Sequence, residues 1–134
     1  MGRLAKRAGC RWFGLVSASG ANADSYFLYP QTKGDTENHL IALELAHLYI
    51  YRPALLVCAR QESRWLERLG IWMAPLLNFL TGGRAAISTD TVARAMLIDA
   101  LDTAVAVAQG EPRPSVKYIS NQAMSDAVKL EGLV

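Results

Sequence analysis

Short apolar runs alternate with polar and amphipathic stretches along this chain. Near-continuous apolar residues occur at positions 12–16, 48–51 and 116–119, each bounded by Gly, Pro, Ser or charged residues. Runs of this length with such boundaries are typical of strands buried on both faces of a sheet. We expect residues 54–58 to continue the second strand beyond Arg52-Pro53, and residues 85–87 to form a further short strand.

The segments around and between these strands are predicted to be helices. Pro30 suits the first turn of one helix, because a proline needs no hydrogen-bond partner for a backbone N–H there. Gly9 ends the first helix, since glycine tolerates positive φ. Thr89 or Asp90 caps the fourth helix, and Ser120 or Asn121 caps the last. The predicted helices span residues 2–8, 27–47, 62–80, 89–101 and 121–130.

The alternation of helix and strand predicts an α/β fold. Strands separated by helices are joined by right-handed crossovers, which produce a mainly parallel sheet covered on both sides. The sequence contains no internal repeat, and 134 residues fit a single domain. We therefore expect residues 1–134 to form one unit.

Composition and charge exclude several function classes. Hydrophobic residues make up 51% of the chain, charged residues 19%, and the net charge is +2. That balance is typical of a globular protein, and it provides no basic surface for nucleic acid. Neither apolar stretch, 40–58 or 71–80, offers the roughly 20 uninterrupted apolar residues that a bilayer requires, so we expect no membrane span.

Cysteine and histidine positions indicate neither a disulfide framework nor a metal site. Cys10 and Cys58 lie in separate apolar segments without metal-ligand spacing, which favours a reducing compartment. His39 and His47 have no third ligand placed to complete a metal site. We expect a cytoplasmic protein, with the nucleus open for a eukaryotic one, and no bound metal.

Tyr29 and Lys33 are the strongest candidates for chemistry. They lie four residues apart at a helix start, so both occupy one helix face. The lysine charge favours the phenolate, which allows the tyrosine to donate or accept a proton. Ser17 or Ser19, just after the preceding strand, could hydrogen-bond a substrate carbonyl oxygen. Doubly wound folds bind ligands in such loops at the carboxyl ends of their strands.

Five blocks of the sequence, in order, resemble a known family. These are LVSASGA at 15–21, FLYPQTKG at 27–34, YRPALL at 51–56, RQESR at 60–64 and VARAM at 92–96. Together they look like the atypical short-chain dehydrogenases/reductases related to the Tat-interacting oxidoreductase-like protein. The resemblance covers nearly the whole chain.

The resemblance implies a Rossmann-like fold, NADP(H) binding and a nicotinamide-linked exchange of hydride with a carbonyl or alcohol. It places Ser17, Tyr29 and Lys33 in the catalytic triad, where they also contact the cofactor, and it implies that Lys33 holds the nicotinamide ribose. The further cofactor-binding residues that it implies are Arg52, Pro53, Ala54 and Leu55.

One departure from the family pattern concerns the pyrophosphate. The family begins with a strand, a Gly-rich turn and a helix, whereas this chain has no G-x-G-x-x-G or related motif. We therefore expect the chain to be the C-terminal half of the fold, and NADP(H) binding by the chain alone is doubtful. In the order 3-2-1-4-5-6, residues 12–16 would be the fifth strand, with an open edge that favours self-association.

Three functional readings follow from these observations. The first is an oxidoreductase that is active when complete, using a nicotinamide dinucleotide and a small carbonyl substrate. The second is a non-catalytic regulatory scaffold that binds a protein partner through the same fold. The third is an inactive fragment. The substrate is not encoded in any motif.

Overall fold

The computed structural model describes residues 1–57 and 86–132. Four helices and five strands lie in these ranges. The helices are α1 (Gly2–Arg7), α2 (Leu28–Ile41), α3 (Thr89–Ala108) and α4 (Asn121–Glu131). The strands are β1 (Phe13–Val16), β2 (Leu48–Arg52), β3 (Leu55–Val57), β4 (Ala86–Ser88) and β5 (Val116–Ser120). The helix predicted at residues 62–80 falls outside the described residues.

Three of the strands form a parallel sheet in the order β1-β2-β5. Phe13 pairs with Leu48, and Leu48 in turn pairs with Val116. The predicted α/β class with a mainly parallel sheet is confirmed, and the sheet is part of a Rossmann-like fold. In the described part of the chain, β1 has a neighbour on one side, so its other edge carries unpaired backbone groups.

The prediction that residues 54–58 continue the second strand is wrong. β2 ends at Arg52, and β3 pairs instead with β4 in a separate two-stranded parallel sheet. Pro53 lacks the backbone N–H that a continued ladder would need, so the chain leaves the sheet there. The short strand predicted at 85–87 is confirmed, and its observed bounds are Ala86–Ser88.

β2 contributes side chains to two separate apolar clusters, because alternate residues of a strand face opposite sides of the sheet. Tyr49 and Tyr51 face α3 and α4, while Leu48 and Ile50 face the C-terminal end of α2. Other buried members of the first cluster are Ile87, Val92, Ala95, Ile119 and Met124. Leu45 is buried in the second, with Phe13, Leu15, Leu40, Ile41, Leu43 and Val116 packed around it.

Two helix ends differ from the predicted ones. α2 ends at Ile41 rather than residue 47, and Glu44 adopts φ 50° as the chain turns back to bury Leu45. α3 continues beyond residue 101 to Ala108, because its buried positions continue on the same face. 

The cap predicted for α3 is wrong, and one of the two caps predicted for α4 is confirmed. Ser88, rather than Thr89 or Asp90, caps α3 by accepting a hydrogen bond from the Thr91 N–H. Ser120 caps α4, and Gly9 has the expected positive φ.

Candidate functional site

Ser17 follows β1 directly, at the carboxyl end of the parallel sheet. Its backbone N–H donates to the Tyr51 carbonyl oxygen at 2.7 Å, so the loop remains in register with β2. The residue is 4% exposed, and its hydroxyl has no hydrogen-bond partner among the described residues. A buried hydroxyl without a partner is uncommon in a folded protein, because the lost hydration is not replaced. The Ser17 hydroxyl therefore lacks, among the described residues, the partner that a buried hydroxyl normally has.

Tyr29 and Lys33 lie in the first two turns of α2. The Lys33 ammonium stands 5.8 Å from the centroid of the Tyr29 ring, as expected for a cation–π pair on one helix face. The Tyr29 side chain is largely exposed, and Tyr26, Phe27 and Leu28 before it are more exposed still. Lys33 forms no ion pair within residues 1–57 and 86–132.

The loop after β1 forms backbone hydrogen bonds with both segments that contain the other predicted site residues. The Ser19 N–H donates to the Pro53 carbonyl oxygen at 2.9 Å, and the Asn22 N–H donates to the Pro30 carbonyl oxygen at 3.0 Å. The loop thus contacts both the end of β2 and the first turn of α2. The structure brings Ser17 beside the end of β2, but the Ser17 hydroxyl forms no hydrogen bond with Tyr29.

Gly34 allows α2 to approach this loop closely. A Cβ at position 34 would stand 2.2 Å from the Ala23 nitrogen and 2.5 Å from the Asn22 carbonyl carbon. Real Cβ atoms do not approach backbone atoms so closely. The helix that carries Tyr29 and Lys33 is therefore seated directly on the loop that begins with Ser17.

The last residue of β2 and the three residues after it are the four others expected to contact a cofactor. Arg52 is engaged by Glu37, Pro53 is buried, and the Ala54 N–H donates to Asn121 Oδ1 at 3.1 Å. Leu55 begins β3, and only its backbone is described. The segment therefore lies between the end of the sheet and the start of α4.

A partly buried ion pair, which no sequence motif indicated, lies beside the site. Glu37, one turn after Lys33, is 2% exposed and accepts two hydrogen bonds from the Arg52 guanidinium, with Nε to Oε1 at 3.0 Å. The guanidinium carbon lies 4.6 Å from the centroid of the Tyr118 ring. The Glu37 hydrogen bond raises the pKa of Arg52 further above its usual value. The periodicity 29, 33, 37 was the available signal.

A second polar network, also not indicated by any sequence motif, lies under α3. Asp99 accepts hydrogen bonds from the Tyr51 hydroxyl and the Lys117 ammonium, each at 2.8 Å. The hydroxyls of Thr103 and Tyr49 stand 3.0 Å apart nearby. Burial, and after it the Asp99 carboxylate, raises the pKa of Tyr51 well above its ordinary value. A signal was the polar pair Asp99 and Thr103, four residues apart in the mostly apolar second half of the helix.

The two histidines have partners on the backbone. His39 Nδ1 lies 2.6 Å from the Asp35 carbonyl oxygen, and His47 Nδ1 lies 3.1 Å from the Pro114 carbonyl oxygen. In the described ranges, no three His, Cys, Asp or Glu side chains gather to hold a metal ion. Within the same ranges, none of the helices has the length and apolar character to cross a bilayer.

The free polar groups suit the nicotinamide end of a dinucleotide. The unpartnered Ser17 hydroxyl can approach a carbonyl oxygen, and the exposed Tyr29 and Lys33 can bond a hydroxyl-rich ribose. For the pyrophosphate, the sequence has no Gly-rich turn between a strand and a helix. The residues present therefore fit part of the cofactor.

The fold and the order of these residues define a class. A parallel sheet with Ser after one strand and Tyr-x-x-x-Lys at the start of the next helix is that of a short-chain dehydrogenase/reductase-like protein. Sequence comparison identifies relatives of the chain, although no family model matches it.

Three relatives indicate the family. The chain is 42% identical over 97 residues to protein HTATIP2 of Rattus norvegicus, covering 70% of this chain and 39% of that protein. It is 41% identical over 86 residues to protein FMP52 of Lodderomyces elongisporus, covering 57% and 36%. It is 32% identical over 135 residues to fmp52 of Aspergillus fumigatus, covering 98% and 56%.

The homologues of this chain are HTATIP2 and FMP52 proteins, which confirms the resemblance drawn from the five sequence blocks. It spans between 36% and 56% of the length of these three relatives. The cytoplasmic location expected from the cysteine content is contradicted, because the fungal relatives are named mitochondrial. Two cysteines are too few to indicate the redox environment of the protein, and they contain no information about its compartment.

Proposed function

We propose that this chain provides the proton-transfer part of an NADP(H)-linked oxidoreductase that interconverts a small carbonyl compound and its alcohol. The observation that carries the proposal is the buried, unpartnered Ser17 hydroxyl at the carboxyl end of β1. It shares one loop with the helix start that presents Tyr29 and Lys33. We further propose that residues 1–134 belong to one NAD(P)-binding unit. The segment that holds the pyrophosphate would correspond to the part of the relatives' sequences that this chain does not match.

Each of the three side chains has a distinct role in this proposal. The bound nicotinamide would supply the hydride in the reductive direction. The Tyr29 hydroxyl donates a proton to the substrate oxygen as the carbonyl is reduced. The Lys33 ammonium stabilises the phenolate that remains, because it stands on the same face of α2. The Ser17 hydroxyl donates a hydrogen bond to the same substrate oxygen and orients it.

The test is the oxidation of NADPH in the presence of a panel of aldehydes and ketones, using a protein in which this chain is joined to the remaining part of the family fold. Tyr29→Phe removes the proton donor alone, so kcat should fall by about 10²–10⁴-fold. Tyr26→Phe is the matched control, because Tyr26 is fully exposed before α2 begins. Equal rates for Tyr29→Phe and the unmodified protein would refute the assignment.

A further inference from the structure

The N-terminal half of α2 contains the proposed proton donor, but few of its apolar side chains are buried. The apolar contacts that join α2 to the sheet come from Leu40 and Ile41 at its C-terminal end. In its first ten residues the buried positions are Gly34 and Glu37, while Leu28 and Tyr29 are exposed. Burial of apolar surface therefore fixes one end of the helix and leaves the functional end to other forces.

Glu37 and Arg52 supply such a force. Two hydrogen bonds join α2 to the sheet in the described part of the chain, and both connect the Arg52 guanidinium to the Glu37 carboxylate. The fork geometry of a bidentate pair fixes orientation as well as distance. Arg52 is the last residue of β2, and the Tyr118 ring of β5 supports its guanidinium on one face.

We infer that Glu37 and Arg52 are positioning residues, which hold the face of α2 that bears Tyr29 and Lys33 over the carboxyl ends of β1 and β2. The inference rests on the proposed function, and it gives Arg52 a role other than the cofactor contact expected from the family resemblance. Because the Nε and Nη2 edge of the guanidinium is bonded to Glu37, Arg52 acts on the site through α2. Tyr29 and Lys33 precede Glu37 by two turns and one turn of the helix, so a rotation of α2 at Glu37 displaces them directly.

The first experiment needs no enzymatic activity. Amide hydrogen exchange of this chain, followed by NMR, is compared between the unmodified protein and Glu37→Gln, a variant of nearly the same shape. The Asn22 amide, which bonds the Pro30 carbonyl oxygen across the loop–α2 contact, should exchange at least about tenfold faster, because the fork between Arg52 and the buried Glu37 carboxylate is lost. Amides of β2 and β5 should keep their protection.

Matched variants separate positioning from general stability. Arg52→Lys keeps the charge but loses the fork, so the exchange rate of the Asn22 amide should fall between those of the unmodified protein and Glu37→Gln. Asp102→Asn removes the more exposed ion pair with Arg113 and should leave the Asn22 amide unchanged. An unchanged Asn22 amide in Glu37→Gln, or an equal acceleration of every amide, would overturn the inference.

The second experiment uses the joined protein described under the proposed function. Glu37→Gln and Arg52→Gln should lower kcat by similar factors, the double variant should lose no more than either, and KM for NADPH should stay constant. A rise in KM confined to the Arg52 variant would show a direct cofactor contact and overturn the inference. If the unmodified protein is inactive while the exchange results hold, the proposed function fails and the helix-positioning contact stands.

Discussion

Substitution of Gly34 by alanine tests the contact between α2 and the loop after β1. Helix propensity alone predicts that this change stabilises the protein, because glycine inside a helix costs about 1 kcal/mol relative to alanine. The structure predicts the opposite sign. An added Cβ would meet three backbone atoms, at 2.2 Å, 2.5 Å and 2.9 Å, and backbone cannot move aside as a flexible side chain can.

The expected magnitude follows from these two opposing effects. Overpacking of a close contact costs about 1–3 kcal/mol, and the upper end applies where backbone must shift. After the propensity gain of about 1 kcal/mol is subtracted, Gly34→Ala should lower the free energy of unfolding by about 2 kcal/mol. The displacement also separates α2 from Asn22, so the proposed proton transfer should slow.

Urea unfolding followed by circular dichroism measures this difference, and Gly20→Ala is the control. Gly20 lies in the same loop, has no atom within 4 Å of its built Cβ and has no positive φ. Its substitution should change the free energy of unfolding by no more than about 0.5 kcal/mol. If Gly34→Ala is as stable as the unmodified protein or more so, the seating of α2 on the loop is wrong.

Three further outcomes are expected. Asp99→Ala should cost about 2–4 kcal/mol in urea unfolding, because the Tyr51 hydroxyl and the Lys117 ammonium lose their shared acceptor. The pKa of Tyr51 is raised on folding, so stability is intact below about pH 10 and falls above it as the unfolded tyrosine ionises first. Tyr51→Phe should reduce that alkaline loss, and an unchanged pH dependence would argue against it. The open β1 edge should cause association that increases with protein concentration in light scattering, and a clean monomer would contradict this expectation. The chain alone should bind NADPH weakly in calorimetry, and tight binding would contradict that expectation.

The parallel sheet could be predicted from the sequence because its strands are buried on both faces. Apolar runs at residues 12–16, 48–51 and 116–119 read clearly, and each forms a strand of the central sheet within one residue of the predicted bounds. The end of α2 could not be read in the same way. Leu43 and Leu45 continue an apolar pattern beyond Ile41, but they are buried by a turn that returns the chain to the sheet.

Sequence alone could indicate only those residues of the candidate site whose side chains are reactive in themselves. Ser17, Tyr29 and Lys33 stand out because a hydroxyl, a phenol and an ammonium, in that order along the chain, suit proton transfer. Glu37 and Asp99 do not, since an isolated acid on a helix is usually solvated. Only the folded chain brings Arg52 to Glu37 and Lys117 to Asp99, across sequence separations of 15 and 18 residues.

The pairing of the strands has a consequence for the covalent chain. β2 and β3 precede residue 58, whereas their partners β5 and β4 follow residue 85. Both apolar clusters likewise combine residues from the two described ranges. A single backbone cut anywhere within 58–85 would therefore leave two pieces joined by two sets of ladder hydrogen bonds and a shared interior. Such a nicked protein should run as one species on a gel-filtration column and as two bands only after denaturation.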